Sequence, residues 1–256
     1  MKLPRLVASI FLCLLPFSSG AIVNVESMHL NAPSDGFSGQ LSLGANGKSG
    51  NSENFTASLG SQLQWHQQDI THLLNLSAEY GESFGQETVN NRFFHWRRIQ
   101  DTSTRLAWEA FTQLEQDKFA RLNHRGLAGG GLRFKLTEVA KEHAVFIGIG
   151  AFYSEEQLSD EGNLADSGNS SLVRGNAYLV LKKQLSDSVF ASSTTYLQPD
   201  VEDERDFRAL EDAQLAIRLS DKLSLSLKLL AKHDNRPPLA VKKTDVSYRT
   251  GLEYRF

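Results

Sequence analysis

The feature that most constrains this chain is an alternation of apolar and polar residues with period two, which runs from residue 37 to the carboxyl terminus. Between 223 and 229 every odd position is leucine, while Ser224, Ser226 and Lys228 occupy the even positions. Successive side chains of a β-strand point to opposite faces of the sheet, so this period predicts strands with one apolar face.

Twelve such segments are predicted, which gives an even number of strands. They lie at 37–47, 54–65, 70–80, 91–98, 104–114, 125–136, 143–153, 172–183, 188–197, 207–219, 222–233 and 244–256. A length of about ten residues is that of a tilted strand crossing a bilayer. The predicted fold class is therefore all-β: a transmembrane antiparallel up-and-down β-barrel of about twelve strands.

The connections between these segments differ in length from one side to the other. Short turns are predicted at 66–69, 99–103, 137–142, 186–187 and 220–221. Longer loops are predicted at 81–90, 115–124, 154–171, 198–206 and 234–243. This asymmetry is typical of outer-membrane barrels and predicts both termini in the periplasm of a Gram-negative bacterium.

The aromatic residues are expected to form two rings at the depth of the lipid head groups. The ring towards the termini comprises Phe37, Trp65, Trp96, Trp108, Phe134, Tyr254 and Phe256. The ring towards the longer loops comprises Phe55, Tyr80, Phe93, Tyr153, Tyr196 and Phe207. A soluble β-sandwich is the alternative, but its aromatic residues would gather in mid-strand.

The amino terminus has the pattern of a secretory signal peptide. Lys2 and Arg5 precede an apolar stretch at 6–17, and small residues follow up to Ala21. Residues 1–21 are therefore predicted to be cleaved, since the apolar stretch is too short for a membrane-spanning helix. Cleavage would remove Cys13, the single cysteine. Residues 22–36 are expected to form a periplasmic segment at or inside the barrel mouth, and 37–256 the barrel.

The carboxyl terminus carries a second export signal. Tyr248, Leu252, Tyr254 and Phe256 follow every-other spacing and end on phenylalanine, which resembles the signal that the barrel-assembly machinery reads. This resemblance implies the assembly machinery and periplasmic chaperones as partners during biogenesis. Outer-membrane lipids and lipopolysaccharide are the expected surroundings of the folded barrel.

Several short segments also resemble one protein family. They are VNVES at 23–27, GFSGQLSLG at 36–44, SGN at 49–51, AEYGE at 78–82, NRF at 91–93, EQDKF at 115–119, RPP at 236–238 and VKKTD at 241–245. In these segments the chain resembles the salt-induced outer membrane protein (YdiY-like) family, an uncharacterised family of bacterial outer-membrane β-barrels of unknown function. The resemblance implies location and fold, and it carries over no catalytic residue.

Charged residues in phase with the polar face are expected to line the lumen, because an arginine or lysine facing lipid at mid-depth costs about 2–4 kcal/mol. The lumen candidates are Glu79, Arg97, Arg105, Glu109, Arg133, Lys135, Arg174, Arg218, Lys228, Asp245, Arg249 and Glu253. Two interpretations remain open. These charges either line a narrow water-filled passage that favours small anions, or pair across the lumen and close it.

Other function classes find little support in the sequence. A formal charge of −3 gives no reason to expect nucleic acid, and one cysteine cannot build a cysteine-rich metal site. His72, Asn75 and Ser77 lie close in sequence, but alternation places His72 on the opposite face from the other two, so no catalytic relay, metal site or cofactor is predicted. The acidic runs at 155–166 and 200–206 offer carboxylates that could gather divalent cations, but solvated loops at a cation-bridged lipopolysaccharide surface are the favoured interpretation.

The predicted function is a narrow pore for small solutes or a barrel that supports envelope integrity under osmotic stress. A lipid-modifying enzyme is the alternative from another class, since twelve-stranded outer-membrane phospholipases exist. A surface receptor or adhesin is a third candidate, resting on the long loop at 154–171.

Overall fold

A computed structural model of the chain describes residues 35–137, 143–160 and 164–256. The predicted signal peptide and nearly all of the predicted periplasmic segment lie outside the described residues. The strands are β1 (Gly36–Lys48), β2 (Asn54–Gln67), β3 (Ile70–Ser83), β4 (Gln86–Asp101), β5 (Leu106–Asp117), β6 (Leu122–Lys135), β7 (His143–Leu158), β8 (Gly168–Ser186), β9 (Val189–Pro199), β10 (Phe207–Arg218), β11 (Leu223–Asp234) and β12 (Thr244–Arg255).

The twelve strands close into a single antiparallel barrel, as predicted. Each strand pairs with its neighbours in sequence, and β1 closes the ring against β12. Below, the end of the barrel that holds Gly36 and Arg255 is the terminal end, and the opposite one is the loop end. Among the described residues, no helix is long and apolar enough to cross a membrane.

The apolar half of the alternation lies on the outer surface. Leu43, Leu59 and Ile149 are more than half exposed, although leucine and isoleucine are among the residues most often buried in soluble proteins. Exposed aromatic residues form a ring near each end, with Phe37, Trp65 and Phe256 at the terminal end. Phe55, Tyr80 and Tyr153 lie at the other end. This exterior is that of a transmembrane barrel, with a polar interior behind it.

The strands extend further at the loop end than the sequence indicates. Residues 84–85 are the only residues between β3 and β4, so the loop predicted at 81–90 is instead a two-residue hairpin turn. Phe84 (φ 48°) and Gly85 (φ 72°) both have positive φ, which is the geometry that matches the twist of paired strands. The alternation of apolar residues fades in these extensions, and the sequence pattern therefore missed them.

Glycines bring β6 and β7 unusually close together. Gly131 lies opposite Gly150 in the register, and a Cβ on Gly150 would be 2.2 Å from the backbone oxygen of Gly130. A glycine run inside a strand marks either a bend or a place where another backbone comes close. Here Gly129–Gly130–Gly131 allows a close strand contact.

The seam between β1 and β12 is much shorter than the other strand pairings. Its register comprises four pairs, from Gln40 opposite Arg255 to Leu43 opposite Leu252. Two further hydrogen bonds join the backbones of Gly39 and Phe256. By contrast, β1 pairs with β2 over its whole length. The loop-end halves of β1 and β12, at 44–48 and 244–251, therefore do not pair with each other.

Candidate functional site: the barrel lumen

The inward faces of the strands carry many charged residues, and most of these are buried. Arg97, Glu109, Arg133, Arg174 and Glu253 are each at most 5% exposed. All five were predicted to face inward, Arg97 on a strand whose phase is ambiguous in the sequence. Burying a charge is costly unless a partner compensates it. The chemistry of the lumen therefore depends on how these charges are paired.

One network crosses the lumen near its middle. Arg97 on β4 lies 3.4 Å from Glu109 on β5, and their side chains are 2% and 1% exposed. The Tyr178 hydroxyl on β8 donates to Glu109 Oε2 at 2.8 Å, and Arg133 Nη1 donates to the Tyr178 oxygen at 3.1 Å. Because Tyr178 and Glu109 stand three strands apart, this network fills the β4–β8 side of the lumen.

A glycine provides the space for the tyrosine in this network. A Cβ on Gly148 would be 2.0 Å from the ring of Tyr178, so the ring lies directly against the backbone of β7. Tyr178 also belongs to an apolar cluster that faces inward. Its members are Ala144, Phe146, Tyr178, Val180, Phe190, Tyr196, Leu210 and Ala216. This side of the barrel has a packed core in place of a water-filled channel.

A second network lies nearer the loop end. Glu156 on β7 accepts from Arg125 Nε at 2.8 Å and from Arg208 Nη1 at 2.6 Å. Arg125 also contacts Glu115 at 3.3 Å, and Arg208 contacts Asp234 at 2.8 Å. The paired charges thus join strands from β5 round to β11.

The other lumen candidates are distributed around the wall. Arg249 on β12 contacts Glu79 on β3, with 2.5 Å between Nη2 and Oε2. Lys228 on β11 lies 2.9 Å from Glu253 on β12. In both pairs, each charged side chain points into the lumen and lies beside a side chain of the opposite charge.

The last five lumen candidates comprise three that have an oppositely charged neighbour and two that lie at the rim. Arg174 donates to Asp206 at 2.9 Å, and Asp245 is buried opposite Lys232 in the β11–β12 register. Lys135 lies 2.5 Å from Asp101 near the terminal end. Arg105 and Arg218 also follow the inward phase, but Arg105 lies in the turn before β5 and Arg218 ends β10. Both are exposed at the rim.

Sequence reasoning missed several residues of the second network. Glu115 was assigned to a loop and Glu156 to a solvated acidic run, but both are buried on inward faces. The signal that could have found them is register: Arg125 stands opposite Glu156 across β6 and β7, and this pair lies where the strands extend beyond the apolar alternation.

Two aromatic assignments were also wrong. Phe93 and Tyr196 were placed in the lipid-facing ring, but they are 7% and 3% exposed and point into the lumen. Phe93 lies opposite Ser77, and Tyr196 opposite Tyr178, both on inward faces. The prediction that His72 and Asn75 lie on opposite faces of β3 is confirmed. His72 stacks between Trp65 and Trp96 on the outer surface, whereas Asn75 faces the lumen.

One loop crosses the mouth at the loop end. The β11–β12 loop, at 235–243, reaches the β5–β6 turn on the opposite side of the ring. There Arg121 Nη1 donates to the Leu239 carbonyl at 3.0 Å and to Asp166 Oδ1 at 2.8 Å. Asp166 Oδ2 accepts from the Leu239 backbone N–H at 2.6 Å. We call Arg121, Asp166 and Leu239 the loop clamp.

A cavity lies in the lumen on the side away from the filled half. It measures about 230 Å³ and is bounded mainly by β1–β3 and β10–β12. Its wall combines apolar surface with polar and charged side chains, which include Gln40, Ser58, Gln62, Glu79, Lys228 and Arg249. Among the described residues, no group of three or more His, Cys, Asp or Glu side chains is arranged to hold a metal ion.

The residues of the predicted assembly signal line the outside of the seam. Tyr248, Leu252, Tyr254 and Phe256 are all exposed on the lipid-facing side of β12 or just beyond it. The ring of Phe256 covers Gly39 of β1, where a Cβ would be 2.4 Å from a ring carbon. The terminal phenylalanine therefore takes part in closing the barrel.

Comparison with known proteins identifies a family and a fold. The family model described as "Protein of unknown function, DUF481" matches residues 41–256. No curated protein matches the chain significantly. The chain is similar to the NanC porin, with a TM-score of 0.52 and 11% identity over 85% of this chain and 98% of that one. This similarity shows a shared barrel fold.

Two other solved barrels are more distant in shape. The KdgM porin gives a TM-score of 0.44 and 10% identity, covering 86% of this chain and 99% of its own. The translocator domain of the autotransporter NalP from Neisseria meningitidis gives a TM-score of 0.43 and 12% identity, covering 89% and 91%.

Proposed function

The chain belongs to the family of unknown function DUF481, and we propose that it is an outer-membrane channel for small polar solutes that the loop clamp holds shut at rest. The supporting observation is the division of the lumen. One side is packed with paired charges and aromatic rings, and the other keeps a cavity of about 230 Å³ with polar and charged side chains in its wall. We infer that solutes pass through this cavity.

This proposal combines the two interpretations that the sequence left open. The ion pairs restrict the passage of solutes on one side of the lumen. The cavity provides the route that remains on the other side. We place the barrel in the outer membrane of a Gram-negative bacterium with its termini in the periplasm. The resemblance to the salt-induced (YdiY-like) family supports this location, and a role in envelope integrity under osmotic stress remains the second candidate function.

Replacing the arginine of the loop clamp should open the channel. Arg121→Ala removes hydrogen bonds to Asp166 and to the Leu239 carbonyl. A hydrogen bond to a charged group contributes about 1.5–3 kcal/mol, so we expect the open probability to rise at least about tenfold. Single-channel recording of the purified protein in planar bilayers measures this change.

The matched control lies in the β11–β12 loop, which Arg121 contacts through Leu239. Arg236→Ala removes an ion pair with Asp203 of the β9–β10 loop, in which the two side chains are 50% and 45% exposed. Because exposed pairs contribute little, this variant should conduct like the wild type. If neither the wild type nor Arg121→Ala gives channel events at any voltage, the pore proposal is wrong.

The loop clamp also predicts how the channel responds to pH. Burial acts to raise the pKa of Asp166, but hydrogen bonds from Arg121 and from the Leu239 backbone outweigh it and hold that pKa below its ordinary value of 3.8. The carboxylate therefore stabilises the closed loop at neutral pH and loses this effect only as the pH falls below that ordinary value.

We accordingly expect the open probability to stay low from neutral pH down to about pH 4 and to rise below it. Asp166→Asn lacks the titrating group, so its channels should show a flat response over the same range. Bilayer recordings across a pH series check both. A wild-type channel that opens between pH 7 and pH 5 would contradict the role given to Asp166.

A further inference from the structure

The short seam between β1 and β12 leaves an opening in the barrel wall. We define the lateral gap as the facing edges at 44–48 and 244–251, which the seam register does not join. At about 3.4 Å per residue, the five unpaired residues of β1 leave a gap roughly 17 Å long. The other two edges of these strands are fully paired, to β2 and β11.

The lateral gap leads into the lumen cavity. Leu43 and Thr250 follow the outward phase of their strands, but both also border the cavity. Arg249 follows the inward phase, yet its side chain is 47% exposed, whereas that of Glu253 on the same strand is 0% exposed. The inside of the barrel is therefore accessible from the side at the level of Arg249.

The depth of the gap suits the head group of an amphiphile. In the register, Gly47 lies opposite Phe55, and Ala57 lies opposite Tyr80. Phe55 and Tyr80 belong to the exposed aromatic ring of the loop end, and such rings mark the depth of the head groups. A head group in the gap would lie at its ordinary depth, while its acyl chain stays in the hydrocarbon.

The charges at the gap favour an anion. Arg249 is the exposed charge inside, and Lys48, Lys242 and Lys243 are exposed at the loop-end rim above it. The cavity wall also carries Glu79, Glu115, Asp117 and Asp212, of which Glu115 is on the opposite wall and is already paired with Arg125. Glu79 holds Arg249 at present, and an incoming carboxylate would compete with it for the same guanidinium.

From these observations we propose that the lateral gap and its cavity bind a single-chain anionic amphiphile of the fatty-acid class. The carboxylate lies on Arg249, and the acyl chain passes out between β1 and β12 over Leu43 and Tyr248. A cavity of about 230 Å³ accommodates a carboxylate head group. The inference rests on the outer-membrane location proposed above, but not on solute conduction.

Closing the gap chemically tests this site. Continuing the seam register brings Ala45 opposite Thr250, and the predicted mature chain has no cysteine of its own. We expect the oxidised Ala45→Cys/Thr250→Cys protein to bind palmitate at least about tenfold more weakly than its reduced form. The control pair, Ala213→Cys/Leu229→Cys, joins residues already opposite each other in β10 and β11, and its oxidation should not change binding.

Replacing the charge tests the same site without a disulfide. Arg249→Gln should weaken palmitate binding at least about tenfold, whereas Arg218→Gln, at the rim of the terminal end, should leave it unchanged. Palmitate methyl ester should bind the wild type as weakly as palmitate binds Arg249→Gln. A photoreactive palmitate should label β1 and β12 at the gap.

Three results would overturn the site. One is equal binding of palmitate to wild type and Arg249→Gln; another is labelling confined to other strands. The third is a dimer of the purified protein that the oxidised Ala45→Cys/Thr250→Cys pair abolishes, because a second copy would then occupy the open edge. Palmitate binding with no channel events would reject the proposed pore and leave this site intact.

Discussion

Glu109→Ala is expected to lower the free energy of unfolding by about 3–5 kcal/mol, because it removes a carboxylate that compensates the buried charge of Arg97. Arg97 and Glu109 are 2% and 1% exposed, so water cannot take the place of the missing carboxylate. Tyr178 also loses the acceptor of its hydroxyl proton. Guanidinium titration of the folded protein in detergent micelles measures the loss.

Two comparison variants separate this effect from the loss of an ordinary carboxylate. Glu87→Ala removes a contact to Lys118 in which the side chains are 32% and 47% exposed, and it should cost less than about 1 kcal/mol. Replacing both members of the buried pair, as Arg97→Met with Glu109→Leu, should recover much of the stability. If Glu109→Ala unfolds like Glu87→Ala, the lumen network does not hold the barrel together.

The barrel could be predicted in advance because a membrane imposes its period directly on the sequence. Every second residue of a lipid-facing strand must be apolar, so the leucines at odd positions of 223–229 reveal both the strand and its outer face. The same rule placed Glu109, Arg133 and Arg249 on the inner face. The correct strand count follows from this local rule, without any knowledge of long-range contacts.

The contents of the lumen follow no such rule. Inside, a residue can be charged, aromatic or glycine, provided that its partners across the barrel fit it. Tyr178 lies flat only because Gly148, opposite it on β7, has no side chain, and its hydroxyl meets Glu109 from three strands away. Such pairings depend on which strands face one another, and the period of a single strand does not contain that information.

The ends of the barrel were also hard to predict, for a different reason. Beyond the bilayer the outer face need not be apolar, so alternation stops while the strands continue. Glu156 lies in such an extension, where its inward orientation follows only from its place opposite Arg125. Likewise, the clamp of Arg121 on the β11–β12 loop joins segments 118 residues apart in sequence.

The short seam makes the carboxyl-terminal residue unusually important, and deletion of Phe256 should reduce the amount of assembled barrel at least about tenfold. The deletion removes two backbone hydrogen bonds to Gly39 and a ring that lies 6.2 Å from that of Phe37. Two hydrogen bonds and one aromatic contact together contribute about 1.5 kcal/mol or more, which corresponds to a factor of ten. Protease-resistant, heat-modifiable protein in outer-membrane fractions measures assembly.

A second assay distinguishes closure of the seam from recognition by the assembly machinery. The seam has only four register pairs, so losing its last bonds should also impair refolding of the purified chain from urea into detergent micelles, where no machinery is present. Phe256→Tyr keeps the ring and the backbone bonds and should behave like the wild type in both assays. If the shortened chain refolds normally but fails to assemble in cells, Phe256 acts as a recognition signal and not as the residue that closes the barrel.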